Sequence, residues 1–259
     1  MKTNRNQGFT LIELLVVITI IAILASLAVP TFNVIQDKAN QMKGSNNCRQ
    51  IIMALKIFSS DENGLYPDSV LNPQTGGYAQ TANDAFRLLI QDELLADERI
   101  FGCPSSRFEP DGNIGQAPQY SMALMGGENH WSMTQGQSQS AVGSMPLVFE
   151  NPVSLSWPPA WNCDAAGTPV AGRAWRGGKI IIGLNDGSVS VQKLQSKQGS
   201  AVGPEQMAGG MNLFTQASQN QQPQILNIVY GGGPGIPGSG SYTTDPGATY
   251  DPNAPLQQQ

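Results

Sequence analysis

The chain has 259 residues, a net charge of −5, one histidine and three cysteines. An acidic chain without a Lys/Arg cluster has no surface suited to displacing phosphate counterions, so nucleic-acid binding is not expected. One histidine excludes multi-histidine metal centres and an HExxH site, and three cysteines allow at most one bridge within a monomer.

The leader Met1–Gln7 is short and polar, carrying Lys2 and Arg5 without a compensating acid. Next comes Gly8, then Phe9-Thr10-Leu11-Ile12-Glu13, then an uncharged run from Leu14 to Val29. As a helix, Phe9 to Val29 is roughly 30 Å long, the thickness of a bilayer's hydrocarbon core. A secretory signal carries its small-residue cleavage site after the apolar run, whereas here the small residue precedes it, so cutting at Gly8 leaves the apolar helix attached. The basic leader predicts a cytoplasmic N-terminus and export of everything beyond Val29. A carboxylate inside such a span is costly, which marks Glu13 as functional and in need of a partner.

Residues 8–13 resemble the processing motif of type IV pilins and type II secretion pseudopilins. The resemblance implies cutting by a prepilin peptidase after Gly8 and methylation of the new N-terminus, Phe9. It also implies an assembly role for Glu13, which can pair with the Phe9 amine of a neighbouring subunit. The implied partners are that peptidase, homologous subunits, the membrane, and an inner-membrane secretion or pilus-assembly machine. The implied location is the inner membrane, with an exported headgroup, and then a filament. Some pseudopilin headgroups bind calcium through a loop carboxylate cluster, but Asp61/Glu62, Asp111 and Asp186 show no ligand spacing here, so neither a metal nor a cofactor is expected.

Beyond Pro30, apolar residues at Val34, Ile35, Ala39, Met42, Cys48, Ile51, Ile52, Leu55 and Phe58 recur at spacings of three and four, predicting an amphipathic continuation over 30–63. Pro30 and Gly44-Ser45-Asn46-Asn47 are its weak points, and Glu62-Asn63-Gly64 is its stop. Residues 64–230 suffice for one exported headgroup with a modest core. Thr81 or Asn83 can cap a helix over 84–95, and short strands are expected at 119–124, 145–150 and 225–230. The strongest β signal is Lys179–Leu184 and Ser188–Leu194 around Asn185-Asp186-Gly187, a hairpin whose turn needs positive φ. Gln195–Gln224 reads as loop. The Gly/Pro-rich stretch 231–259 lacks apolar periodicity and is expected to be disordered. The predicted fold is α+β, similar to the pilin "lollipop": a long N-terminal helix packed on a small antiparallel headgroup.

Arg176 to Gly187 resembles the H-x9-DG element of prepilin-like proteins, with Asp186-Gly187 as its DG and Arg176 in place of the histidine. That resemblance also places Cys48 and Cys103 where such proteins carry paired cysteines; an unstrained bridge would contribute about 2 to 4 kcal/mol. Elsewhere no catalytic constellation is found. Gly126–Trp131, containing His130, reads as an exposed turn; Gly172–Lys179 lacks phosphate-loop spacing; Trp157-Pro158-Pro159-Ala160-Trp161 reads as a loop packed on the core. Three functions follow in order of support: a structural subunit of a pseudopilus or pilus, a minor tip or adaptor pilin, and a membrane-anchored exported enzyme.

Overall fold

The computed structural model describes residues 10–104, 106–167, 170–207, 209–219 and 221–230, leaving aside the side chains of 27–31. The leader, Gly8, Phe9 and the stretch 231–259 lie outside the described residues. The chain divides into two compact units, residues 1–39 and 40–259.

Helix α1, Leu11–Asp61, contributes to both units. Among the described residues of the first unit the apolar side chains are exposed: Leu11 is 85% exposed, Ile12 69% and Leu24 62%. The hydroxyls between them bond back to the helix, Thr19 to Leu15 O at 3.0 Å and Ser26 to Ile23 O at 2.8 Å, so neither polar group depends on water. Among the described residues no helix is long and apolar enough to cross a membrane. The helix continues through Pro30 and Gly44 and ends where Asn63 (φ 53°) and Gly64 (φ 84°) turn left-handed.

The second unit is built on a five-stranded antiparallel sheet, ordered β4-β3-β2-β1-β5. Its strands are β1 Trp131–Thr134, β2 Pro146–Glu150, β3 Lys179–Leu184, β4 Val189–Lys193 and β5 Ile225–Leu226. The last part of α1 packs on one face through Cys48, Ile51, Ile52, Leu55 and Phe58, all buried, together with Leu147, Val148 and Ile181. Each large aliphatic or aromatic side chain so buried contributes roughly 1.5 to 3 kcal/mol. Two glycines let helix and sheet approach. A Cβ on Gly183 of β3 would meet Ile52 Cδ1 at 2.0 Å, and one on Gly44 would meet Ile181 Cδ1 at 2.8 Å. Gly44 is thus a packing contact of α1 and not a break in it.

The opposite face of the sheet carries a second core, in which Phe149, Ile180 and Ile182 meet Trp157, Trp161 and Phe214. Residues 180, 181 and 182 alternate between the two cores as strand pleating requires. A register shift between Pro146 and Val148 interrupts that alternation, so Leu147 and Val148 both join the α1-side core.

Helix α2, expected over 84–95, runs Ala82–Gln91: it starts at a capping box between Thr81 and Asp84 and stops before Glu93 turns left-handed (φ 58°). Three further expectations are corrected. Residues 119–124 form turns, because Tyr120 (φ 44°) and Leu124 (φ 52°) leave the β region as the backbone closes around Glu98, which accepts Leu124 N–H at 2.8 Å. The strand expected at 225–230 pairs only at Ile225 and Leu226; beyond it Asn227 O accepts from Ala82 N–H and Val229 N–H donates to Asn83. Within 195–224, expected as loop, α3 Leu213–Ala217 is capped by Asn212.

Candidate functional site

At the start of α1 the backbone has unsatisfied N–H groups, and Thr10 and Glu13 supply the oxygens. Glu13 accepts from Thr10 N–H at 2.8 Å and from the Thr10 hydroxyl at 2.7 Å, while Thr10 Oγ1 accepts from Glu13 N–H at 3.3 Å. This reciprocal arrangement is a capping box. Glu13 therefore has an intramolecular role that the sequence reading missed, although Thr-x-x-Glu ahead of an apolar run is its recognised signature. Glu13 is exposed in a single chain, surrounded by the uncovered apolar side chains of the first unit.

The hairpin turn is held from both sides. Gly187 N–H donates to Leu184 O at 2.9 Å and Leu184 N–H to Ser188 O at 2.8 Å, with Gly187 at φ 94°. Asp186 accepts from Ser188 N–H at 2.8 Å; that interaction with Ser188, followed by Lys56, holds its carboxyl below the usual range. The deeper determinant is Asn185, which is buried. It accepts from the Tyr66 hydroxyl at 2.7 Å and donates to Ser138 O and Ala141 O, tying the turn to the chain after β1. Burial pushes the Tyr66 hydroxyl up to about 12, so it remains a donor. Arg176 is exposed beside Gly167.

The bridge expected between Cys48 and Cys103 is not formed; Cys48, Cys103 and Cys163 are all free thiols. The Cys48 thiol is turned onto Val148 O at 3.8 Å and the Cys103 thiol onto Glu150 Oε1 at 3.7 Å, which directs each sulfur to β2 instead of to the other. Burial, followed by the charge of Glu150, pushes both thiols well above the ordinary value and keeps them protonated.

Cys103 belongs to a buried polar cluster at the end of β2. Glu150 Oε1 accepts from Trp175 Nε1 at 2.8 Å and lies 3.3 Å from His130 Nε2; Oε2 accepts from Ile181 N–H at 3.1 Å. The Arg173 guanidinium is 3.9 Å from Oε1 and 4.1 Å above the Trp175 ring. Burial alone would raise the Glu150 carboxyl, but the His130 hydrogen bond and Arg173 outweigh it and hold it low. Burial drives His130 downward, leaving a neutral ring. The ionised Glu150 carboxylate can only accept, so we assign His130 Nε2–H as its donor; the neutral ring's Nδ1 then accepts from the Ser106 hydroxyl. His130 is buried and stands immediately before β1, which corrects the exposed turn read at 126–131. Cys103, His130 and Glu150 form a zinc-type donor set, with ligand atoms within 4.8 Å of one another. The cation there is Arg173, also 3.7 Å from Cys103 Sγ, and a metal would have to displace it. All the side chains are nearly or fully buried, so the cluster's role is internal neutralisation of one carboxylate by one guanidinium.

A second donor set, Glu98, Asp111 and Glu128, also lies within 4.8 Å and offers oxygens of the type a hard cation takes. Glu98 already accepts from Gly112 N–H and Leu124 N–H, and Glu128 from Met125 N–H. Burial, then the nearby Glu98 carboxylate, pushes Glu128 up to about 8.

An uncovered N-terminal helix bearing a carboxylate four residues after Phe9, continuing onto an antiparallel headgroup, defines a pilin-like filament protein. Residues 3–29 match the family model described as the prokaryotic N-terminal methylation motif. The chain is 32% identical over 142 residues to the type II secretion system core protein G of Aeromonas hydrophila, covering 49% of this chain and 88% of that protein. It is 40% identical over 120 residues to core protein G of Klebsiella michiganensis, covering 46% of this chain and 70% of that one. With the type IV major pilin protein PilA of Myxococcus xanthus it shares 43% identity over 58 residues, spanning about a quarter of PilA's length, 26%. The chain belongs to the type IV pilin and type II secretion pseudopilin family, whose members are structural subunits of filaments, and no catalytic family is indicated. Its motif implies processing by prepilin peptidase and assembly with other pilin subunits. No solved structure matches.

Proposed function

We propose that the chain, cut after Gly8 and starting at Phe9, is a structural subunit of a type II secretion pseudopilus or a type IV pilus-like filament. The observation carrying this reading is the uncovered apolar surface of α1 from Leu11 to Leu24, which needs an apolar surrounding. Before assembly a bilayer supplies it: the span runs over residues 9–29, further than the described side chains 10–26 of this segment, with the leader in the cytoplasm and residues 64–230 folded outside. After extraction by the assembly machine, the helices of neighbouring subunits supply it. In that bundle Glu13 takes the Phe9 amine of the next subunit as its charge partner. The Thr10 cap presets this contact by holding the carboxylate at the helix start.

Processing tests the reading at its root. In cells with an active prepilin peptidase, intact-mass analysis of membrane fractions should show wild-type protein starting at a methylated Phe9. Gly8→Trp should retain Met1–Gly8 and remain in the membrane, since the bulky side chain blocks close approach of the peptidase and the span is unchanged. Wild-type protein that kept its leader in such cells would overturn the proposal.

A further inference from the structure

The second unit contains a cavity of about 410 Å³ between α2, the loop preceding it and the loop 119–126, adjoined by a smaller one of about 230 Å³. The two share Asn72, Thr75, Asp84 and Arg87. The larger is within the size range of small-molecule sites, about 300 to 1,000 Å³. Nothing in the filament reading uses it.

Its polar lining is fixed before any ligand arrives. Asn72 Oδ1 accepts from Gln74 N–H at 2.8 Å, and its amide donates to Gln91 Oε1 at 3.1 Å; Gln91 Nε2 in turn donates to Gln119 O at 2.7 Å. Each amide is thereby oriented, with one N–H of Asn72 and one of Gln91 left over. Arg87 spends Nε on Ala123 O at 2.8 Å, NH2 on Leu124 O at 3.4 Å and NH1 on Asp84 at 3.5 Å, which leaves two of its five N–H groups. Asp84 neutralises the guanidinium, so the site favours neither an anion nor a cation. Leu124, Met125 and Val229 add apolar surface, and Tyr78 lines the smaller lobe with 58% of its area exposed.

We propose that this double cavity binds a neutral carbohydrate of one or two sugar units. Such a ligand is dense in hydroxyls that both donate and accept, which suits pre-oriented amides and a charge-balanced Arg/Asp pair. Its C–H faces suit the apolar lining and the Tyr78 ring. A peptide strand fits less well, because the walls are a helix and loops and no open sheet edge borders the cavity. The site would give the headgroup a ligand on a cell surface or secreted glycan, separately from whether α1 assembles.

The test is binding of the purified full-length protein in detergent to a printed array of neutral and anionic oligosaccharides, beside Ser121→Trp and Thr75→Trp. Both positions line the larger cavity and are exposed, and an indole there fills it while leaving the side-chain hydrogen bonds of Asn72, Gln91 and Arg87 in place. The expected result is binding to neutral glycans that falls at least tenfold in whichever variants keep the wild-type thermal transition, with filament incorporation unchanged. Absence of binding to every neutral glycan, preference for anionic ones, or undiminished binding in a folded variant would overturn the proposal. Loss of filament incorporation in the wild type would count against the filament reading and leave the binding result standing.

Discussion

Glu128 shows how a single buried carboxylate makes the headgroup sensitive to pH. Burial and the neighbouring Glu98 lift it to about 8 from an ordinary value near 4.5. The folded state therefore holds a proton that the unfolded chain releases, and its contribution to stability is complete below the unfolded value and lost as pH rises through the folded one. Thermal unfolding of the full-length protein in detergent should shift to lower temperature between pH 5 and pH 8. In Glu128→Gln that shift should shrink, because the uncharged amide keeps the shape and cannot release a proton. An equal shift in both proteins would show that Glu128 is not the group responsible. Glu150 works in the opposite way, since Arg173 and His130 stabilise its charge, and removing either partner would leave a buried carboxylate uncompensated.

Packing of α1 on β3 depends on Gly183. A Cβ there would meet Ile52 Cδ1 at 2.0 Å and Cys48 Sγ at 2.8 Å, both on fully buried side chains. Gly183→Ala should destabilise by about 1 to 3 kcal/mol as an overpacked site, lowering the thermal midpoint by several degrees. Ile52→Val deletes the clashing Cδ1, so adding it to Gly183→Ala should restore part of the loss although it costs stability alone. Strict additivity in that double-mutant cycle would contradict the contact. The hairpin β3–β4, helix α2 and the amphipathic face of α1 were readable from sequence because their signals are local: β-branched runs around Asn-Asp-Gly, Thr81 three residues before Asp84, apolar residues three and four apart. Asn185, Glu150, His130 and Arg173 were not, because each is defined by partners far along the chain; Tyr66 lies 119 residues from Asn185. Leu124 escaped for the same reason: its left-handed backbone gives its N–H to Glu98, 26 residues away.

For the whole molecule, the two units have opposite solvation problems. The headgroup buries its apolar side chains on both faces of one sheet, while the described apolar side chains of the first unit are exposed and, on the proposed reading, are covered by a bilayer or by neighbouring subunits. That division was the most readable property of the sequence, because one uncharged run and one carboxylate state it. On the proposed reading, Glu13 sets whether that cover is a filament. Glu13→Leu would remove both the charge and the carboxylate half of the capping box, whereas Glu13→Gln keeps a side chain able to complete the box and removes only the charge. The decisive measurement is therefore the amount of this protein in filaments sheared from cells expressing wild type or Glu13→Gln, normalised to membrane-fraction levels. Pairing with the Phe9 amine of the next subunit predicts equal membrane levels and at least a tenfold loss of the variant from filaments; equal incorporation of the two forms would contradict it.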